Sequence, residues 1–225
     1  MEVLKLKEIS NIVLDVVEEA SKEVMVIYNS DEFEAEDKED GSPVTLADKV
    51  SHQILVSSLE SIDDSIPVLS EEGDSFNYEV DLFWLIDPLD GTKEFINKNG
   101  EFTVNIAWIQ SQKPIIGVIF APVKGELYFS SNEKGAFKVL VDLENYDFET
   151  LISKAIKLPL QRKDKTFTLV ASRSHMSPET ESYMQEMKNK YGSIYLTSKG
   201  SSLKLCMVAE GKADCYPRFA PTMEW

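Results

Sequence analysis

The chain has 225 residues, 43% of them hydrophobic and 28% charged, a make-up ordinary for a globular protein with one large core or two modest ones. With 23 basic against 39 acidic residues its net charge is −16, and no basic stripe is present, which excludes a nucleic-acid polymer as its main partner. No apolar run approaches the ~20 residues that span a bilayer, the first residues lack the pattern of a secretory signal, and Cys206 and Cys215 fit neither a zinc site nor a redox pair, so a cytoplasmic protein is expected.

Taken in chain order, Leu6, Ile9, Val13, Val16, Ala20, Val24 and Ile27 recur at three- and four-residue spacing and predict an amphipathic helix. Residues 31–40 hold seven acids and read as a solvated, mobile loop closed by Gly41-Ser42-Pro43. A second helical pattern runs through Leu46, Val50, Ile54, Leu55 and Leu59. Short apolar stretches at 67–69, 82–86, 102–109, 115–120 and 127–129 then predict strands separated by Pro and Gly. Periodicity fades and charge rises between about 141 and 165, so the division expected is an α+β domain at 1–140, a connecting segment at 141–165 and a second, α/β domain at 166–225. In the last of these, 167–171 and 194–196 read as strands, Ser177-Pro178-Glu179 as a helix start, and 201–210 as a helix stopped by Gly211. This is not the strict alternation of a doubly wound fold.

The chemistry concentrates in Trp84-Leu85-Ile86-Asp87-Pro88-Leu89-Asp90-Gly91-Thr92-Lys93-Glu94-Phe95, where an apolar strand runs into two aspartates three residues apart. Buried side by side, two carboxylates repel by about 4 kcal/mol at 4 Å with an effective dielectric near 20. A divalent cation relieves that conflict, and carboxylates with a backbone carbonyl are the hard oxygen ligands Mg²⁺ takes. Gly91 permits close backbone approach, and the amides of Gly91 and Thr92 at a helix start suit an anion. Read alone, the same segment serves equally as an exposed turn. Ser70-Glu71-Glu72-Gly73 offers a further carboxylate at a strand end, or a solvated acidic turn. Asp48, in Thr45-Leu46-Ala47-Asp48, reads as the far half of a near capping box.

Together these segments resemble the inositol monophosphatase superfamily. Asp87-Pro88-Leu89-Asp90-Gly91-Thr92 is similar to its metal-binding motif, Glu71-Glu72 to its preceding acidic pair, and Ser42-Pro43-Val44-Thr45-Leu46-Ala47-Asp48 to the segment carrying its catalytic aspartate, all in family order. Lys93-Glu94-Phe95, Asn99-Gly100-Glu101-Phe102-Thr103-Val104-Asn105, Ser172-Arg173-Ser174-His175, Gly200-Ser201-Ser202-Leu203-Lys204 and Tyr216-Pro217-Arg218-Phe219 look like its 3′(2′),5′-bisphosphate nucleotidases. The likeness covers nearly the whole chain and is weakest at 31–40 and 140–165.

The resemblance implies an α+β fold, a layered αβαβα sandwich of the sugar-phosphatase type. It also implies Mg²⁺, two or three ions per site, held by Glu71, Asp87, the Leu89 carbonyl and Asp90. Asp48, Thr92 and Glu71 would be catalytic: Thr92 would contact the attacking water, Asp48 would accept the threonine proton, and Glu71 would assist the water through its metal. Gly91, Thr92, Ser172, His175, Gly200 and Lys204 would bind substrate, a small phosphorylated nucleotide. The reaction expected is hydrolysis of adenosine 3′,5′-bisphosphate to AMP and phosphate, with its sulfated relative as a second substrate, which would place the protein in sulfur metabolism. In the family a tryptophan like Trp225 is followed by one more metal-binding aspartate and a helix, so the second domain is expected to be truncated at its C-terminal end. The alternatives are an inositol-phosphate or fructose-bisphosphate phosphatase on the same fold, or an inactive metal- or nucleotide-binding form. Oligomeric state, monomer or homodimer, and a peripheral place at the inner membrane surface are left open.

Overall fold

The computed structural model describes residues 3–30, 35–38, 41–73, 80–142, 148–171 and 177–219, with backbone alone for 3–11, 148 and 149. The first helix, α1 (Val3–Asn29), follows the apolar stripe, burying Val13, Val16, Ala20 and Val24. The acidic run is not wholly loop: β1 (Ala35–Asp37) pairs antiparallel with β2 (Pro43–Thr45), although all three β1 residues are exposed. Backbone pairing needs no apolar side chain, so a strand of this kind leaves no hydrophobic signal.

Thr45 then caps α2 (Leu46–Ile62). Its side chain accepts from the Ala47 amide at 3.2 Å, and its own backbone N–H donates to Asp48 at 2.7 Å, completing the capping box. Seven strands follow in one sheet, ordered as they occur in the chain: β3 (Val68–Ser70), β4 (Leu82–Asp90), β5 (Thr103–Gln110), β6 (Lys113–Ala121), β7 (Glu126–Ser131), β8 (Gly135–Leu140) and β9 (Ile156–Lys157). Only the β3–β4 pair is parallel. A short α3 (Thr92–Ile96) leaves β4, and α4 (Phe148–Lys154) precedes β9. The stretch predicted as a connecting segment thus adds a helix and an edge strand to the first sheet.

Alternate residues of β4 and β5, Trp84, Ile86, Val104, Ile106 and Trp108, face α1 and α2 and form the main core, with the two indoles stacked at 5.3 Å. The opposite face receives α6 (Leu203–Ala209), whose Leu203 and Cys206 pack on Ala121, Tyr128 and Leu158. Before it, β10 (Phe167–Ala171) and β11 (Ile194–Ser198) pair in parallel, joined through α5 (Pro178–Tyr191) with Ser177 as cap and Pro178 in its first turn. Helices cover both faces of the seven-stranded sheet, an α+β sandwich as expected.

One irregularity positions the chemistry. Asp87 pairs with Asn105 and Asp90 with Thr103, so three steps along β4 match two along β5. That is a β-bulge with Pro88 and Leu89 inside it, and Pro88 has no ladder N–H to lose. In a regular strand, residues three apart point to opposite faces. The extra residue puts Asp87 and Asp90 on one face, the side of Thr103 and Asn105.

Candidate active site

The bulge with the turn that follows it, the start of α2 and the turn after β3 bring Asp48, Glu71, Asp87, Leu89, Asp90, Gly91 and Thr92 together. Asp87 is 4% exposed, and its carboxyl is raised well above the usual aspartate range by burial first, then by the charges of Asp90 and Glu71, with Glu71 also hydrogen-bonded to it. Its Oδ1 accepts the Leu89 amide at 3.2 Å. Glu71 reaches the cluster because its amide bonds to the Ile86 carbonyl at 3.2 Å, extending the β3–β4 pairing by one residue.

Asp48 approaches from the opposite side. Its Oδ2 takes the Thr45 amide at 2.7 Å and the Thr45 hydroxyl at 2.6 Å, while Oδ1 takes the Thr92 hydroxyl at 3.1 Å, across 44 residues of chain. The capping box and the contact with Thr92 therefore share one carboxylate. Burial dominates its acidity and pushes it up to about 6, against the Thr45 and Thr92 hydrogen bonds that favour ionisation. Thr92 Oγ1 also lies 3.4 Å from the Leu89 carbonyl.

Gly91 joins β4 to α3 at φ 97°, a left-handed conformation that favours glycine. A Cβ there would lie 3.1 Å from Ser201 Cβ and 3.2 Å from the Glu101 carbonyl. The 199–202 strap thus closes over the motif, placing Gly200 beside it, and the Ser202 amide donates to Asp90 Oδ2.

Lys204 joins this strap, donating to the Ser201 carbonyl at 2.6 Å and lying 5.7 Å from the Tyr216 ring. Ser172 and His175, with Arg173, lie outside the described residues.

Sequence reasoning missed Lys38. Its ammonium lies 2.5 Å from Glu72 and 3.5 Å from Glu71. Burial opposes its charge, but the Glu72 hydrogen bond and the fields of Glu71, Glu72 and Asp48 raise its pKa. It is the one basic residue of the 31–40 run, a signal that could have marked it.

Among the described residues no three metal-ligating side chains stand as a ready-made cage. Instead burial, and after it the charges of Asp90 and Glu71, raise the pKa of Asp87, with Lys38 the cation paired to Glu71. Such crowded hard oxygens fit a divalent cation, which would replace the proton and relieve the repulsion.

The model of the inositol monophosphatase family matches residues 5–225, and the chain belongs to that family. Within it, the chain is 43% identical over 211 residues to the 3′(2′),5′-bisphosphate nucleotidase CysQ of Escherichia coli K12, covering 92% of this chain and 78% of that one. It is 42% identical over 211 residues to CysQ of Salmonella typhimurium, with the same coverage. The crystal structure of CysQ from Bacteroides thetaiotaomicron, a bacterial member of the family, superposes with a TM-score of 0.82 at 45% identity, over 96% of this chain and 82% of that one.

Proposed function

We propose that this protein is a magnesium-dependent phosphatase that hydrolyses adenosine 3′,5′-bisphosphate to AMP and phosphate, acting on the sulfated relative as well. The observation that carries the reading is the Thr92–Asp48 hydrogen bond, which sets a hydroxyl and a buried acid beside the carboxylate cluster. The bisphosphate nucleotidase named in relatives of 42–43% identity supports the substrate.

Glu71, Asp87, Asp90 and the Leu89 carbonyl would hold two or three Mg²⁺ ions. When bound, magnesium neutralises phosphate charge and makes water a better nucleophile for in-line displacement. Thr92 would orient that water and take up the proton it releases on its hydroxyl oxygen, while passing its own hydroxyl proton to Asp48. An acid held near pH 6 is ionised often enough at neutral pH to accept it. Gly91 keeps the loop close enough for a phosphate to approach the backbone. Gly200, Lys204, Ser172 and His175 contact the nucleotide, with the Lys204 ammonium drawn to its second phosphate. The setting is the cytoplasm, in keeping with the described helices, none of which is long and apolar enough to cross a membrane.

Phosphate release tests the reading. With magnesium, adenosine 3′,5′-bisphosphate should be turned over faster than inositol 1-phosphate or fructose 1,6-bisphosphate, and chelation should abolish release. Preference for a sugar phosphate would reject the substrate, and turnover in excess chelator would reject the metal. Lys204→Ala should lower kcat/KM by about tenfold or more for the bisphosphate nucleotide, the scale of a lost charged hydrogen bond. Equal loss on inositol phosphate would remove Lys204 from the nucleotide site.

A further inference from the structure

Glu101 has no part in the chemistry above, yet its carboxylate is buried, with the residue 6% exposed. Burying a carboxylate is costly unless it is paired and hydrogen-bonded. Here Oε2 accepts the Gly200 amide at 2.9 Å and Oε1 the Lys199 ammonium at 2.9 Å. Its backbone is equally confined. A Cβ on Gly200 would lie 2.9 Å from the Glu101 carbonyl and 2.4 Å from Glu94 Cγ, and Gly91 abuts that same carbonyl from the motif. Glu101 therefore sits between the motif glycine and the strap glycine.

Immediately after Gly200, Ser201 takes φ 50°, a left-handed conformation that is strained for a residue with a Cβ. Such strain persists only where its surroundings over-determine it. On one side it is held by Glu101 through Gly200. On the other, the Ser202 amide donates to Asp90 Oδ2, while Ser202 Oγ meets Thr103 Oγ1 at 2.8 Å and donates to Asn105 at 3.1 Å. The two anchors flank one strained residue.

We propose that Glu101 is a positioning residue for Asp90: by clamping Gly200 it keeps Ser201 in its left-handed turn and the Ser202 amide on the Asp90 carboxylate. One Asp90 oxygen is thereby fixed by a backbone donor, and the carboxylate is presented to the metal in one orientation. The inference rests on the metal reading of Asp90.

Backbone amide hydrogen exchange on the full chain without magnesium tests the clamp independently of hydrolysis. Glu101→Ala should speed exchange at Gly200 and Ser202 by about tenfold or more, while Glu101→Gln, which keeps an acceptor oxygen, should stay within about threefold. In phosphate release, Glu101→Ala should raise the magnesium concentration for half-maximal activity about tenfold, the range for a group that orients a ligand, with kcat at saturating metal changed less than about threefold. Ser202 exchange within about twofold of the parent in a folded Glu101→Ala protein, or equal damage by Gln and Ala, overturns the proposal. Should Glu101→Ala not fold, Glu101→Asp, whose shorter arm cannot reach Gly200, decides: about threefold faster Ser202 exchange upholds the clamp and an unchanged rate removes it. If exchange responds but no magnesium-dependent release is found in any variant, the clamp stands and the phosphatase reading falls.

Discussion

Asp87 sits where its own ionisation is opposed, first by burial and then by Asp90 and Glu71. Its pKa is raised, so without metal the folded state holds a proton at pH values where the unfolded chain has released it. Folding is penalised as pH rises through that window. Asp87→Asn should therefore have opposite effects on two measurements. Magnesium-dependent release should be abolished, while the unfolding midpoint of the chelator-treated protein at pH 7 should rise, by about 2–4 °C for each kcal/mol of repulsion relieved. A fall in the metal-free midpoint would contradict the electrostatic account. Thr92→Ala, by contrast, removes a γ-methyl and the hydroxyl between Asp48 and the Leu89 carbonyl, and no charge. It should cut kcat by about a hundredfold or more, the usual share of a proton-relay group, with little change in the magnesium titration.

At the scale of elements, the site is a strand bulge, a helix start and a strap meeting around Gly91. Gly91→Ala should cost about 1–3 kcal/mol, because a φ of 97° is strained for alanine and the new methyl would press on Ser201 and the Glu101 carbonyl. Urea unfolding would measure that loss, which should accompany reduced turnover as the strap is pushed off the motif. Much of this level was legible in the sequence. The apolar stripe of α1, the strand leading to Asp87 and the Thr45–Asp48 box depend on local spacing and are formed as read. What was hidden depends on pairing between distant segments. The Asp87–Asp90 bulge exists only against β5, β9 only against β8, and the roles of Lys38 and Glu101 only once the chain has folded back on itself.

Across the whole molecule, two sets of acids respond to pH in opposite directions. At the site, Asp48 is raised from 3.8 to about 6, so its contribution is least costly below about 4 and opposes folding by about 3 kcal/mol once pH passes 6. At the C-terminal end of α6, Glu210 is only 2% exposed and sits among the Tyr128 hydroxyl, Lys138 at 2.9 Å and Lys212 at 2.5 Å. Burial works against its charge, but hydrogen bonds from Lys212, Tyr128 and Lys138 prevail and lower its pKa. Its contribution is present above the unfolded value of 4.5 and is lost as pH falls through the depressed one. Metal-free protein should therefore be most stable at about pH 4–4.5, where Glu210 is ionised and the penalties at Asp48 and Asp87 are only beginning, and magnesium should carry the maximum toward neutrality by relieving the site. Unfolding midpoints across pH, with chelator and with magnesium, would check this. Coincident maxima would disprove it.

The bulge in β4 also bears on how the gene can change. Point substitutions can alter which atoms ring the cations, but a single codon lost between Asp87 and Asp90 would leave both acids on one face of an ordinary pleat while removing the bulge that sets their spacing and carries the Leu89 carbonyl to Thr92. The reading frame here encodes a distance as much as a composition. Insertions and deletions at this spot should be purged even where amino-acid exchanges are borne.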